Sequence, residues 1–205
     1  MQILLQNIGK RFGREWIFRE IHQDFLMGNS YAILGANGSG KSTFLQILIG
    51  ILPSTEGKII YQKENKIINN ALIFKEICWV APYLDLIEEF TLEEFLNWHH
   101  QLKPFQFSPK TIAEKLGLEK SYHKFLKNFS SGMKQRVKLA TALYGNCPIL
   151  LLDEPTSNLD NYGINWYQNE LNSQLKNRLT IICSNQSYEY EMCAYKIELE
   201  KFKKK

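Results

Sequence analysis

Gly35-Ala36-Asn37-Gly38-Ser39-Gly40-Lys41-Ser42 follows the apolar run Tyr31-Ala32-Ile33-Leu34 and leads into Thr43-Phe44-Leu45-Gln46-Ile47-Leu48-Ile49. A strand, a glycine-rich turn and a helix in that order are the setting of a phosphate-binding loop. Glycines let the backbone curl until successive N–H groups converge on phosphate, and the helix adds its positive N-terminal end. Lys41 is of a length to reach β and γ phosphates, and the Ser42 hydroxyl suits Mg²⁺.

Outward from the loop, residues 2 to 34 read as short apolar strands separated by turns: Ile3-Leu4-Leu5, Trp16-Ile17-Phe18, Ile21 to Leu26 and Tyr31 to Leu34. This is a β-rich start. Further strands are expected at Lys58 to Tyr61 and at Ile77-Cys78-Trp79-Val80, before Pro82. From about residue 84 to 145 the character turns helical. Thr91-Leu92-Glu93-Glu94 has capping-box spacing, Ser108-Pro109-Lys110 starts a second helix, and Ser130-Ser131-Gly132 starts a third that runs to about Tyr144. Pro148-Ile149-Leu150-Leu151-Leu152-Asp153 is a continuous apolar run, as a parallel strand covered on both faces requires. A helix over 161–176, a strand at Leu179 to Cys183 and a last strand at Tyr195 to Leu199 complete an α/β pattern.

Asp153 and Glu154 end the run Ile149 to Leu152, which puts two carboxylates at the carboxyl edge of the sheet beside the phosphate loop. Asp153 suits Mg²⁺, and Glu154 suits a water aimed in line at a γ phosphate. The segment Phe129-Ser130-Ser131-Gly132-Met133-Lys134-Gln135-Arg136-Val137-Lys138-Leu139-Ala140 lies between these two motifs. A Ser-Ser-Gly start to a helix offers a hydroxyl, free N–H groups and a favourable dipole for an anion.

With these three motifs in order, the chain resembles an ATP-binding cassette (ABC) ATPase over essentially its whole length. Residues 129–140 resemble the family signature, with Ser130 and Gly132 matching the consensus and Phe129, Ser131 and Met133 departing from it. The resemblance implies one domain over residues 1–205: a P-loop NTPase (RecA-like) core with an N-terminal antiparallel β subdomain, residues 1–83 and 146–205, and an inserted α-helical subdomain, residues 84–145. It also implies that ATP is sandwiched between two cassettes, so that Ser130, Ser131, Gly132 and Met133 of one copy face the phosphate loop of a second. The second cassette is another copy or a related chain. Ser157-Asn158-Leu159-Asp160 resembles the loop that crosses that interface, which assigns Asp160 to the nucleotide; a polar helix start is the alternative. Phe12 stands where the family usually stacks an aromatic on adenine, and core packing is the alternative there.

Two residues implied by the resemblance are absent. Pro82 occupies the apparent place of a glutamine that contacts Mg²⁺ and the membrane partner, and proline has neither a side-chain oxygen nor an N–H. Tyr83 and Asp85 are the nearby substitutes. Asn185 replaces a histidine; it still donates a hydrogen bond to phosphate but does not become cationic. These changes point to slow hydrolysis, with Glu154 as catalytic carboxylate and Lys41 and Asn185 as γ-phosphate contacts.

At 205 residues and 44% hydrophobic, the chain can bury a full core. No apolar stretch approaches the roughly 18–20 residues needed to cross a bilayer, and the first residues lack an export signal, so a soluble intracellular protein is expected; the resemblance implies that it is cytoplasmic and held at the inner face of the membrane by a separate transmembrane permease. Cys78, Cys147, Cys183 and Cys193 show no metal-ligand spacing and read as reduced, mostly buried thiols. A net charge of +4 does not suggest nucleic acid as a partner. The basic run Lys201-Phe202-Lys203-Lys204-Lys205 reads as a solvated tail. The competing functions are a clamp that dimerises on ATP with scarcely any hydrolysis, and a soluble ABC ATPase outside transport. Tyr83 to Phe90 is the segment where the resemblance places permease docking; an amphipathic connection belonging to the protein's own core is the equal alternative.

Overall fold

Ile3, Leu5 and Ile8 are buried along Gln2–Phe12 (β1), which pairs antiparallel with Glu15–Leu26 (β2) and with Glu56–Lys63 (β4); Lys66–Ile67 (β5) extends the sheet to the order β2-β1-β4-β5. These elements come from a computed structural model that describes residues 1–203. The two short strands expected at 16–18 and 21–26 are one strand. Glu20 takes φ 57° and the register slips between Ile8↔Ile21 and Lys10↔Phe18, so a bulge carries β2 past the charged pair that looks like a break. Arg19 meets Glu56 of β4 through two hydrogen bonds of 2.9 and 3.1 Å.

The second sheet is parallel. Ile77–Val80 (β6), Ile149–Asp153 (β7), Leu179–Cys183 (β8), Ser30–Leu34 (β3) and Tyr195–Glu198 (β9) lie side by side in that order. Every residue of β7 and β8 is buried, as expected of strands covered on both faces. One face packs on Lys41–Ile49 (α1) and the antiparallel sheet, burying Phe18, Phe25, Phe44, Leu45, Leu48 and Leu151; the other shares a core with the helical residues, including Leu96, Leu139, Leu143, Leu150 and Tyr167.

Helix starts follow the sequence signals. Thr91 caps Leu92–Leu102 (α2) with a complete capping box, Ser108 caps Pro109–Lys115 (α3), and Ser130 caps Ser131–Leu143 (α4). The helix expected over 161–176 ends earlier: Asn161–Asn172 (α5) is followed by a separate 3₁₀ turn, Leu175–Asn177. Ser187–Tyr190 (α6) is a single turn that the sequence reading misses. The basic tail is only partly a tail. Leu199–Phe202 form a 3₁₀ turn in which Leu199 is buried and Phe202 packs on the core, because their apolar side chains outweigh the neighbouring lysines; Lys204 and Lys205 lie outside the described residues. All four cysteines are free and buried.

Phe44 joins the helix behind the phosphate loop to the antiparallel sheet, meeting Phe18 edge-on at 5.7 Å and Phe25 at 6.3 Å. Phe44→Ala should cost about 3–5 kcal/mol in urea unfolding; a loss below about 1 kcal/mol would show that this junction is not where the two sheets are held.

Candidate functional site

The register of the parallel sheet assembles the site. Asp153 pairs with Cys183, and Cys183 with Ile33, so three strands end in one row. The chain leaves that row as three neighbouring turns: the phosphate loop after β3, Glu154 after β7, and Ser184-Asn185 after β8. Val80 pairs with Leu152, which brings Pro82 and Tyr83 to the same edge.

Gly38 and Gly40 take φ values of 78° and 100°. A Cβ on Gly40 would strike Ile17 of β2, so this position needs glycine twice over. Lys41, 5% exposed, folds its ammonium back onto the loop, donating to the Gly35 carbonyl at 2.8 Å and the Ala36 carbonyl at 3.2 Å. Ser39 is buried and its hydroxyl has no hydrogen-bond partner. Ser42 and Thr43 open α1 behind the loop. The Ala36 N–H is taken by Glu200 at 2.9 Å, a contact between the 3₁₀ turn after β9 and the loop that no local sequence signal announces.

Asp153 is 2% exposed and neither of its oxygens has a hydrogen-bond partner. Burial raises its pKa from 3.8 to about 6; the nearby Ser42 hydroxyl opposes the rise, the charge of Glu154 adds to it, and Lys41 opposes it. Such a carboxylate lacks a cation. One bare carboxylate beside a serine hydroxyl under a phosphate loop fits Mg²⁺, which takes few protein ligands and completes its shell with phosphate oxygens and water. The donor set of Asp153 and Ser42 is therefore the one that would hold it.

Glu154 has φ 42°, a left-handed backbone that costs a non-glycine residue on the order of 1–3 kcal/mol. Its N–H donates to the Cys183 carbonyl at 2.8 Å, and its own carbonyl accepts from the Ser157 N–H and hydroxyl at 3.2 and 2.8 Å. Asn185 is exposed and donates to the side-chain oxygen of Asn37 at 2.5 Å, so the turn after β8 touches the phosphate loop directly. Asn37, Glu154, Asn185 and Glu189 line one cleft of about 350 Å³.

The other expected residues divide. Phe12 is 49% exposed at the end of β1, with Lys10 above its ring at 4.9 Å, so the packed-core alternative is excluded. Tyr83 reaches the site, accepting from Gln46 of α1 at 3.1 Å and lying within the field of Asp153; burial, before that charge, raises its pKa. Asp85 does not: its side chain is 95% exposed and sits 3.9 Å from Lys138 of α4. Asp160 does not join the cleft within this chain either, because its carboxylate is committed to capping α5 through the Gly163 N–H at 2.8 Å. Ser130 accepts from the Met133 N–H at 3.3 Å, and Ser131 is exposed. Gly132 lies against the turn after Glu154, where an added Cβ would meet the Asn158 carbonyl at 3.2 Å, and buried Gln135 donates to the Pro155 carbonyl at 2.7 Å. None of Ser130 to Met133 lines the cleft around Glu154.

Fold and site define a P-loop nucleoside triphosphatase. Among known families, the model described as ABC transporter matches residues 18–157. The lantibiotic transport ATP-binding protein SrtF of Streptococcus pyogenes is 31% identical over 192 residues, covering 88% of this chain and 78% of its own. Among solved structures, an ATP-binding subunit of an ABC transporter superposes with a TM-score of 0.82 at 20% identity, covering 97% of this chain and 87% of its own. The dimeric bacterial ABC transporter cassette MJ0796 superposes with a TM-score of 0.80 at 23% identity over 96% of this chain and 94% of its own. The chain belongs to the ABC transporter family, as an ATP-binding cassette: an ATPase that works on ATP with Mg²⁺.

Because folding lifts the Asp153 pKa above 3.8, the folded protein favours the protonated acid; that stability is complete below about pH 4 and lost as pH rises through about 6. Without nucleotide or Mg²⁺, Asp153→Asn should therefore be more stable than wild type at pH 8 by on the order of 2–3 kcal/mol, the gap closing towards pH 4. A difference that stays constant across that range would contradict the unpaired-carboxylate reading.

Proposed function

We propose that this chain drives transport through a separate membrane permease by closing on Mg-ATP as a pair of cassettes, each nucleotide held between the phosphate loop of one and the α4 start of the other. The observation that carries the reading is the buried, unpartnered Asp153 carboxylate beneath the loop that Lys41 spans. The exposed Ser130-Ser131 turn supports the composite site: it offers helix N–H groups to a neighbour and takes no part in its own cleft.

In this reading Gly35, Asn37, Gly38, Ser39, Gly40 and Lys41 cradle the phosphates, Ser42 and Asp153 hold Mg²⁺, and Phe12 stacks on the adenine. Bound there, Mg²⁺ neutralises phosphate charge. Glu154 orients the attacking water and takes its proton, and Asn185 leaves Asn37 to donate to the γ phosphate. Tyr83 stands in at the edge that Pro82 vacates. Asp160 caps α5 in its own chain, and any part it takes at a nucleotide belongs to the site of the second cassette.

Among the described residues no helix is long and apolar enough to cross a membrane; the likeness to the ATP-binding protein of a lantibiotic transporter supports a separate permease as partner and a place at the inner face of the membrane. Residues 84–145 form the helical part of the cassette. A cleft of about 270 Å³ lined by Trp79, Phe95 and Trp98 and, from the expected Tyr83 to Phe90 segment itself, by Leu84, Leu86 and Ile87 supports docking there. Asn185 and Pro82 favour one second reading, the ATP-gated clamp with very weak turnover.

Glu154→Gln should lower steady-state ATP hydrolysis by roughly 100-fold or more while leaving a Mg-ATP dimer on gel filtration. An unchanged rate would remove Glu154 from the chemistry. Negligible phosphate release by wild type alongside a persistent dimer would favour the clamp.

A further inference from the structure

The acid that stands out beyond the expected set is Glu189. It lies on α6, the single turn that follows Asn185, and is 2% exposed. One carboxylate oxygen accepts from both the N–H of Thr156, at 2.8 Å, and the Thr156 hydroxyl, while the other has no hydrogen-bond partner. A buried carboxylate with a bare oxygen costs stability, and an amide or apolar side chain would fill the same space more cheaply.

Thr156 stands two residues beyond Glu154, in the turn that holds Glu154 at its positive φ. That turn is fixed on one side by the end of β8, through Cys183, and on the other by Glu189. Glu189 is itself anchored. Its N–H donates to the Gln186 carbonyl at 3.0 Å, its carbonyl accepts from the buried Tyr167 hydroxyl at 3.0 Å, and Gln168 donates to the adjacent Tyr188 carbonyl at 2.9 Å. α5 therefore clamps α6, and α6 clamps the Glu154 turn. Glu154, Asn185 and Glu189 open onto the same cleft.

We propose that Glu189 is a positioning residue: bonded to Thr156, it fixes the strained Glu154 turn and sets its distance from Asn185. The inference rests on the reading of Glu154 as the catalytic carboxylate. Strained backbone persists only where its surroundings over-determine it, and a shift of about 1 Å in a reacting group can cost roughly a hundredfold in rate.

The test places Glu189→Ala, Glu189→Gln and Thr156→Ala in wild-type and Glu154→Gln backgrounds, reading single-turnover hydrolysis of ATP, equilibrium ATP binding and thermal unfolding. Glu189→Ala should slow hydrolysis by about tenfold or more with ATP affinity changed less than about twofold. Glu189→Gln, whose amide oxygen still accepts from the Thr156 N–H, should restore most of the rate, and Thr156→Ala should give a smaller loss. In the Glu154→Gln background none of the three should slow hydrolysis further. The proposal is overturned if Glu189→Ala or Thr156→Ala slows the Glu154→Gln protein by the same factor as wild type, or if affinity falls as much as rate. Should Glu189→Ala not fold, the Gln and Thr156 variants decide by the same comparison. A Glu154→Gln protein that hydrolyses at the wild-type rate fails the underlying reading instead, whatever the Glu189 variants do.

Discussion

The bare carboxylate of Asp153 is the constraint around which this molecule is organised. A charged group so buried and without a hydrogen bond is unfavourable until a cation arrives, and folding already raises its pKa to about 6. The strand that carries it, Ile149-Leu150-Leu151-Leu152, is apolar throughout because both faces are covered, and that covering is what strips water from the acid at its end. Core and site are thus one physical arrangement. A divalent cation such as Mg²⁺ would supply the positive charge this environment lacks.

Around that point the protein keeps its polar groups provisionally paired. Lys41 rests on loop carbonyls, Asn37 is held by Asn185, and Ala36 donates to Glu200. In the proposed reading each of these partners would give way to phosphate, since each lies in a turn at the edge of the sheet. The strain at Glu154 is different, because its turn is fixed from two sides by bonds within the protein, to the Cys183 carbonyl and the Glu189 carboxylate. The loop adapts and the acid waits, a division suited to a site that assembles around its substrate.

Much of this was legible in the sequence, for stated reasons. Gly35 to Ser42, Asp153-Glu154 and the caps at Thr91, Ser108 and Ser130 are local patterns whose chemistry depends on near neighbours. β2 reads as two strands in the sequence because a bulge at Glu20 puts charge inside an apolar alternation, which periodicity does not reveal. Asp160 was assigned by resemblance, whereas its spacing to Gly163 already permitted a helix cap. Glu189 and Glu200 were invisible because their partners, Thr156 and Ala36, stand 33 and 164 residues away, and only the closing of the sheet joins them.

The proposed pairing of cassettes turns on the α4 start, where Ser130 and Ser131 are exposed and none of Ser130 to Met133 lines the cleft of its own chain. Mixing two inactive proteins measures this directly: one with the phosphate loop disabled by Lys41→Ala, the other with the α4 start disabled at exposed Ser131 by Ser131→Arg. If each site is built from two copies, the mixture regains ATP hydrolysis that neither protein has alone, because the mixed dimer contains one intact loop facing one intact signature. A mixture as inactive as its components would contradict a site built from two copies of this chain.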